Sequence, residues 1–340
     1  MKKSILMVTI GLALVSSSTF AATAIDGKEY KETIPVTVDN FTLVEAQVNF
    51  LKWKNKNAMN KMFDLTIPTP AGPMPTVRMN RDTLYSAQLV DASNGFKVHM
   101  PKQSVYTSVL VLDEAGYAQE YIWQQGDHDI TIDQKHGKFV WVLFRIGLEE
   151  GIEQARVVQK QLKLTGQGSA VWNPKAYDQD SYQAMHDANM QKAIDSGMLL
   201  EYGFQSDRIT NEAKSLSDAV GWGGMDHNIN NYQVAGNMDG GACYTTTFAD
   251  PKVDEFWSFT VYDADGWLLP MEYKSVINSN EAVANADGTY TISFNCGDDA
   301  INNLESGGNA GFGFAWRTYA SSYKVKSGKW NPINNLIKQK

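Results

Sequence analysis

The chain has few of the residues on which familiar enzymes are built. It carries 2 cysteines and 5 histidines in 340 residues. His99, His128, His136, His186 and His227 share no metal-ligand spacing. An open metal site needs about three protein ligands, so neither a metal nor a cofactor is expected. No G-x-S-x-G, P-loop, strand-borne G-x-G-x-x-G or H-E-x-x-H occurs. "DADG" at 263–266 hints at calcium, but a full loop would end in glutamate where Lys274 stands, so it reads as a turn. Positive charge is scarce as well: 30 Lys and Arg against 38 Asp and Glu leave a net charge of −8. Without Lys2 and Lys3 that figure is −10. Nucleic acids demand cationic surfaces, so they are excluded as partners, and no polybasic run recommends an anionic membrane. Long apolar runs are missing too. The longest, Ile5 to Val15, falls short of the ~20 residues of a membrane span.

That short run lies between Lys2–Lys3 and the small, polar "SSSTFAATA". This is the order of a secretory signal, with cleavage after Ala21 or Ala24. Residues 1–24 are therefore expected to be removed and the mature protein to be periplasmic or secreted. The remaining residues exceed one ordinary core. In an oxidising compartment Cys243 and Cys296 would form a disulfide; two unrelated buried thiols are the alternative.

Asp39 resembles a helix N-cap for "NFTLVEAQVNFLKWKNKNAMNKMF", and prolines 68, 70, 73 and 75 stiffen the loop that follows. From Asp82 the period shortens. "DTLYSAQLV", "FKVHM", "SVYTSVLVLD", "YAQEYIWQQ", "DITID" and "KFVWVLFRIG" read as strands separated by turn residues. "EEGIEQARVVQKQLKL" and residues 178–220 read as helices, and "GWGGMDHNINNYQVAGNMDGG" as a glycine-rich loop. "ACYTTTFA", "EFWSFTVYD", "GTYTISFN" and "GFGFAWRTYAS" return to strands. The expected fold is mainly β with helical segments, two antiparallel β-sandwich or jelly-roll-like domains joined by a helical region. The boundaries are 25–168 for the N-terminal unit, 169–225 for the connector and 226–340 for the C-terminal unit.

Polar groups inside this pattern carry the functional reading. Asn80, Arg81 and Asp82 stand at the mouth of a strand that continues through Thr83, Tyr85 and Ser86. Arg145 lies near the end of an almost wholly apolar strand, and Arg317 between Trp316 and Tyr319. A buried guanidinium must be paired or solvated. Either Arg145 forms an ion pair with Asp82, or Arg145 or Arg81 presents its fork to a ligand carboxylate or phosphate. Of the tryptophans, Trp257 and Trp316 read as core; Trp222, Trp267 and Trp330 are candidates for stacking as well.

"NRDTLYS", then "GKFVWVLFRIGLEEG", then "FWSFTVYDADGWL", "NADGTYTISF", Arg317 with Tyr319 and the closing "GKWNP" resemble a bacterial exported two-domain family. Its halves are the domain-of-unknown-function families 1254, N-terminal, and 1214, C-terminal. Met79 replaces the proline usual before the Asn, and "RTYASS" an aromatic-proline ending. The resemblance implies two β-rich domains and assigns no activity.

Two functions follow from the residues. In the first, Asn80, Arg81, Asp82, Tyr85 and Arg145 line a cleft near the domain junction that binds a small polar or anionic ligand. In the second, Asp82 is the general acid or base of a hydrolase or lyase on a small polar substrate, with Arg81 or Arg145 stabilising negative charge. Oligomerisation is left open by both.

Overall fold

The structure, a computed structural model, describes residues 21–197, 200, 208–226, 229–320, 325 and 330–339. Most of the expected signal segment, and parts of the 178–220 and 221–241 stretches, lie outside the described residues. The fold is mainly β, with several antiparallel sheets in two units.

The N-terminal unit uses β1 (Phe63–Leu65), β2 (Thr83–Asp91), β3 (Phe96–Met100), β4 (Thr107–Asp113), β5 (Ala118–Ile122), β6 (Gly126–Ile130), β7 (Phe139–Gly147) and β8 (Lys163–Thr165). One antiparallel sheet has the order β1-β2-β7-β4-β5 and a second β8-β3-β6. The central strand β7 is buried along its whole length, because both faces of its sheet are covered. Leu84, Val142 and Phe144 pack against Val98 and Ile130 of the smaller sheet. Leu89, Leu110 and Trp141 pack under Ala46, Phe50 and Trp53 of α1 (Phe41–Asn55). A strand covered on both sides reads as one apolar run and not as an alternation, which is how "KFVWVLFRIG" reads.

Two helices are shorter than their sequence pattern. Helix α1 stops at Asn55, well before Phe63. Asn57 and Asn60 take left-handed backbone conformations there, and the Leu89 amide donates to the Ala58 carbonyl at 2.7 Å, recruiting the chain toward β2. Helix α2 (Ile152–Gln159) starts after Gly151 at φ 87° and yields to β8, an edge strand on β3. The "DITID" strand sits earlier than expected, at Gly126–Ile130, where His128 pairs with Val98.

Helices α3 (Gln179–Ser196) and α4 (Asn211–Gly221) are capped by Asp178 and Thr210, whose side chains accept from the Ser181 and Ala213 amides. They pack with α1 around Phe41, Val44, Tyr182 and Ala219. The C-terminal unit follows with β9 (Asn231–Met238), β10 (Tyr244–Ala249), β11 (Trp257–Tyr262), β12 (Val276–Asn278), β13 (Thr289–Phe294) and β14 (Phe312–Thr318). One sheet runs β9-β14-β11-β12. In the other, β13 and β10 are central between the short strands Asn303–Leu304 and Ile337–Lys338. The two enclose Trp257, Phe259, Phe294, Phe314 and Trp316. Strand β9 corrects the sequence reading, which had this stretch as loop. Its Asn231 and Gln233 are buried by pairing with Thr318 and Trp316, so polar residues here are paired strand and not solvated turn.

Cys243 and Cys296 are bonded, tying together the chain ends of β10 and β13, with Cα atoms 4.6 Å apart. Their separation of 53 residues gives a loop whose closure constrains the unfolded chain. Replacing both with serine is expected to lower unfolding free energy by about 2–4 kcal/mol in urea titrations; an unchanged midpoint would refute this.

On α4, Lys214 and Asp218 form a buried ion pair with side chains 4% and 5% exposed. Burial pushes the Asp218 carboxyl up to about 6, with Glu45 adding like-charge repulsion and Lys214 opposing both. The native state therefore holds this proton at a pH where the unfolded chain, near ~3.9, has released it. The group's contribution to stability is full below about pH 4 and declines as pH rises toward about 6. Urea midpoints measured across that window are expected to lose this decline in Asp218→Asn; a decline of equal slope in the variant would count against it.

Candidate functional site

The polar stretch at 80–83 fastens one unit to the other. Arg81 donates from Nε to the Thr69 carbonyl at 2.9 Å, from Nη1 to Ser275 Oγ at 3.1 Å and from Nη2 to the Leu269 carbonyl. Asp82 Oδ1 accepts from Asn278 Nδ2 at 3.2 Å. Asn80 donates its amide to the Tyr319 hydroxyl, while its Oδ1 accepts from the Thr83 amide and hydroxyl at 3.2 and 3.0 Å. The question raised by a cation, an anion and an amide at a strand mouth thus has a structural answer. All three are buried, and each has partners on the other β unit.

Above this clasp the two larger sheets present matching faces. In the N-terminal sheet Arg145 lies on the central strand β7, opposite Tyr85 on one side and Ser108 on the other. In the C-terminal sheet Arg317 lies on β14, opposite Tyr232 and Ser258. Strand alternation sends Arg145 to the same face as Leu143 and Trp141, and Arg317 to that of Ala315. Both faces line one cavity of about 70 Å³, which exceeds the ~10–15 Å³ a single water needs.

The two arginines differ in how their charge is met. Arg317 donates from Nη1 to Thr260 Oγ1 at 3.2 Å, and from Nη2 to the Tyr262 hydroxyl and the Arg78 carbonyl, both at 2.6 Å. The Asp82 carboxylate also acts on it electrostatically. Burial pushes the Asp82 carboxyl above its ordinary range, and the Ser258 hydroxyl, Asn278 amide and Arg317 charge pull it back only in part. Arg145 is 6% exposed and donates from Nη2 to the Gly223 carbonyl at 2.6 Å. Its Nη1 has no hydrogen-bond partner among the described residues, and no ion pair there joins it to Asp82 or any other acid. Burial opposes its charge, but the oxygens of Tyr232, Tyr85, Tyr106 and Tyr319 outweigh that and hold its pKa above the ordinary value. The guanidinium stays charged in any case.

The described cavity lining includes Arg78, Arg145 and Arg317 and no Asp or Glu. Asn80, Tyr85 and Tyr319 add polar groups, and Trp53, Trp141 and Trp222 form an indole wall. Two features favour glycine at position 223. Its φ is +86°, and a Cβ would stand 3.1 Å from the Trp141 ring.

Of the residues singled out in the sequence, the structure brings Asn80, Tyr85 and Arg145 to this cavity. Arg81 and Asp82 line a separate one of about 480 Å³, with Asn278 and Tyr273. Sequence reasoning did not find Trp53, Trp141, Tyr232 or Gly223. Arg317, an arginine set between aromatic residues, was the one signal that pointed from the second unit to this place. Trp222, considered for stacking, is buried in the wall; Trp257 and Trp316 are core.

A family description, "Protein of unknown function (DUF1214)", matches residues 231–323, which hold β9 to β14. No curated protein matches the chain. Among solved structures, the VPA0106 protein from Vibrio parahaemolyticus is similar with a TM-score of 0.65 at 15% identity, covering 89% of this chain and 98% of that one. An uncharacterized protein from Burkholderia cenocepacia is similar with a TM-score of 0.50 at 14% identity, over 84% of this chain and 85% of its own. The second unit is thus similar to that family, and likeness at such low identity shows that most of the chain shares its fold with these two proteins.

Proposed function

We propose that this chain is an exported binding protein that holds a small anion, most simply a carboxylate, in the cavity between its two β units. Its N-terminal unit is proposed to belong with the family 1254 domains. One observation carries the reading: among the described residues Arg145 Nη1 is buried without a hydrogen-bond partner, in a cavity whose described lining holds arginines and no acid. A buried donor left unmet costs about 1–3 kcal/mol. A ligand carboxylate would supply the counter-charge and accept from the guanidinium fork.

The other side chains then have defined work. Asn80 and the hydroxyls of Tyr85 and Tyr319 orient the anion, and the indoles of Trp53 and Trp141 take its apolar body. Because Arg145 stands on a strand flanked on both sides, its position is held by the sheet and not by a loop. The hydrolase or lyase reading has less behind it. It needs Asp82 beside Arg145 or a free Arg81, whereas Arg81 spends its donors on Thr69, Leu269 and Ser275. Asp82 lines the other cavity.

Thermal unfolding in acetate, benzoate, succinate and phosphate tests the reading. At about one hundred times its dissociation constant, a ligand should add about 2.7 kcal/mol, a rise of several degrees. Arg145→Met should abolish that rise while leaving the free protein as stable as wild type or more so. A variant that keeps the ligand response, or a wild type indifferent to every anion, would overturn it.

A further inference from the structure

Beside the Arg145 cavity lies an outer hollow of about 440 Å³, and one layer of side chains separates them. Tyr106 lines the hollow, yet its ring meets Tyr319 of the inner cavity edge-on at 5.7 Å. Its hydroxyl accepts from Ser108 Oγ at 3.0 Å and reaches Met225 Sδ at 3.9 Å. Ser108 is the cross-strand neighbour of Arg145. Asn230 bridges likewise: it lines the hollow while its Nδ2 donates to the Tyr232 hydroxyl at 3.2 Å on the inner wall. The phenols of Tyr106 and Tyr121 both interact electrostatically with Arg145.

The chemistry of the hollow is the reverse of that of the cavity. Its described lining has two acids, Asp254 and Glu255, and no Lys or Arg. Neither acid forms an ion pair among the described residues. Burial, Glu149 and Asp254 together push the Glu255 carboxyl above its ordinary value. Trp123 is 49% exposed here, with its ring 5.0 Å from that of Tyr121. Indole and phenol faces beside unmatched carboxylates attract an ammonium group by its charge and by cation–π contact.

We infer that cavity and hollow are the two ends of one site, and that its ligand is a zwitterion with a carboxylate at Arg145 and an ammonium group among Trp123, Asp254 and Glu255. The inference rests on the anion reading of the inner cavity. A short apolar spacer passes Tyr106, whose hydroxyl meets Ser108, the Met225 thioether and the Tyr121 phenol. A plain anion gains nothing from the acids of the hollow; an aminocarboxylate gains at both ends.

Isothermal titration of the full chain with 4-aminobutyrate, 6-aminohexanoate, their parent acids butyrate and hexanoate, and butylamine tests this. At least one amino acid is expected to bind ten-fold or more tightly than the acid of its length. Trp123→Ala and the double variant Asp254→Asn, Glu255→Gln should each erase that advantage and leave the parent acid's affinity in place. Equal binding of amino acid and parent acid would overturn the zwitterion while sparing the anion site. An advantage that survives both variants would also overturn it. If neither class binds, this inference is refuted, and the inner site is decided separately by the thermal series with acetate, benzoate, succinate and phosphate.

Discussion

The burial of Arg145 in the middle of a sheet is the constraint around which the junction is organised. A guanidinium cannot shed its proton at ordinary pH, so it must be met by dipoles, by an acid or by something bound. Here the described residues supply the Gly223 carbonyl and a ring of phenol oxygens, and leave Nη1 unmet. Arg317, its counterpart across the junction, donates hydrogen bonds to Thr260, Tyr262 and the Arg78 carbonyl and lies in the field of Asp82. Two arginines in similar strand positions are thus treated differently, and the asymmetry directs attention to the first. Glycine suits position 223, where the carbonyl approaches the guanidinium while the backbone passes against Trp141.

Such a cavity survives only if the two units are held at a fixed spacing. The Asn80–Arg81–Asp82 stretch does that with buried hydrogen bonds to Tyr319, Leu269, Ser275 and Asn278. Removing any one partner would leave a buried polar group unmet, at a cost of about 1–3 kcal/mol. Behind the clasp, α1, α3 and α4 form a layer over the junction, and the end of α4 leads into the Gly223 turn. Stability and site geometry therefore share residues. Asn80 belongs to both, since it holds Tyr319 and lines the cavity.

Much of the fold was legible because its strands are short and apolar or alternating, and their turns are marked by Gly, Asn, Asp and Pro. Strands β2, β3, β4 and β7, and most of the C-terminal sandwich, stand close to where the pattern put them. The misses have local causes. Residues 160–164 keep a helical composition, but 160–162 turn and 163–164 are taken by an open sheet edge, and α1 loses its last turns to a bridge with β2. Strand β9 hid in a glycine-rich, amide-rich stretch because its Asn231 and Gln233 are satisfied by neighbours far away in the chain.

From the sequence alone came the choice of residues that had to be explained: an arginine within an apolar strand, an Asn-Arg-Asp run at a strand mouth, a pair of cysteines in one unit. Those follow from local rules, since side-chain type and period dictate burial before any partner is known. What only the tertiary structure decided was who meets whom. Arg145 and Asp82, plausible partners on paper, are turned to different cavities, while Arg145 and Tyr319, 174 positions apart in the chain, come to share one. Pairing across a domain junction depends on the packing of whole sheets, and no short stretch of sequence carries that information.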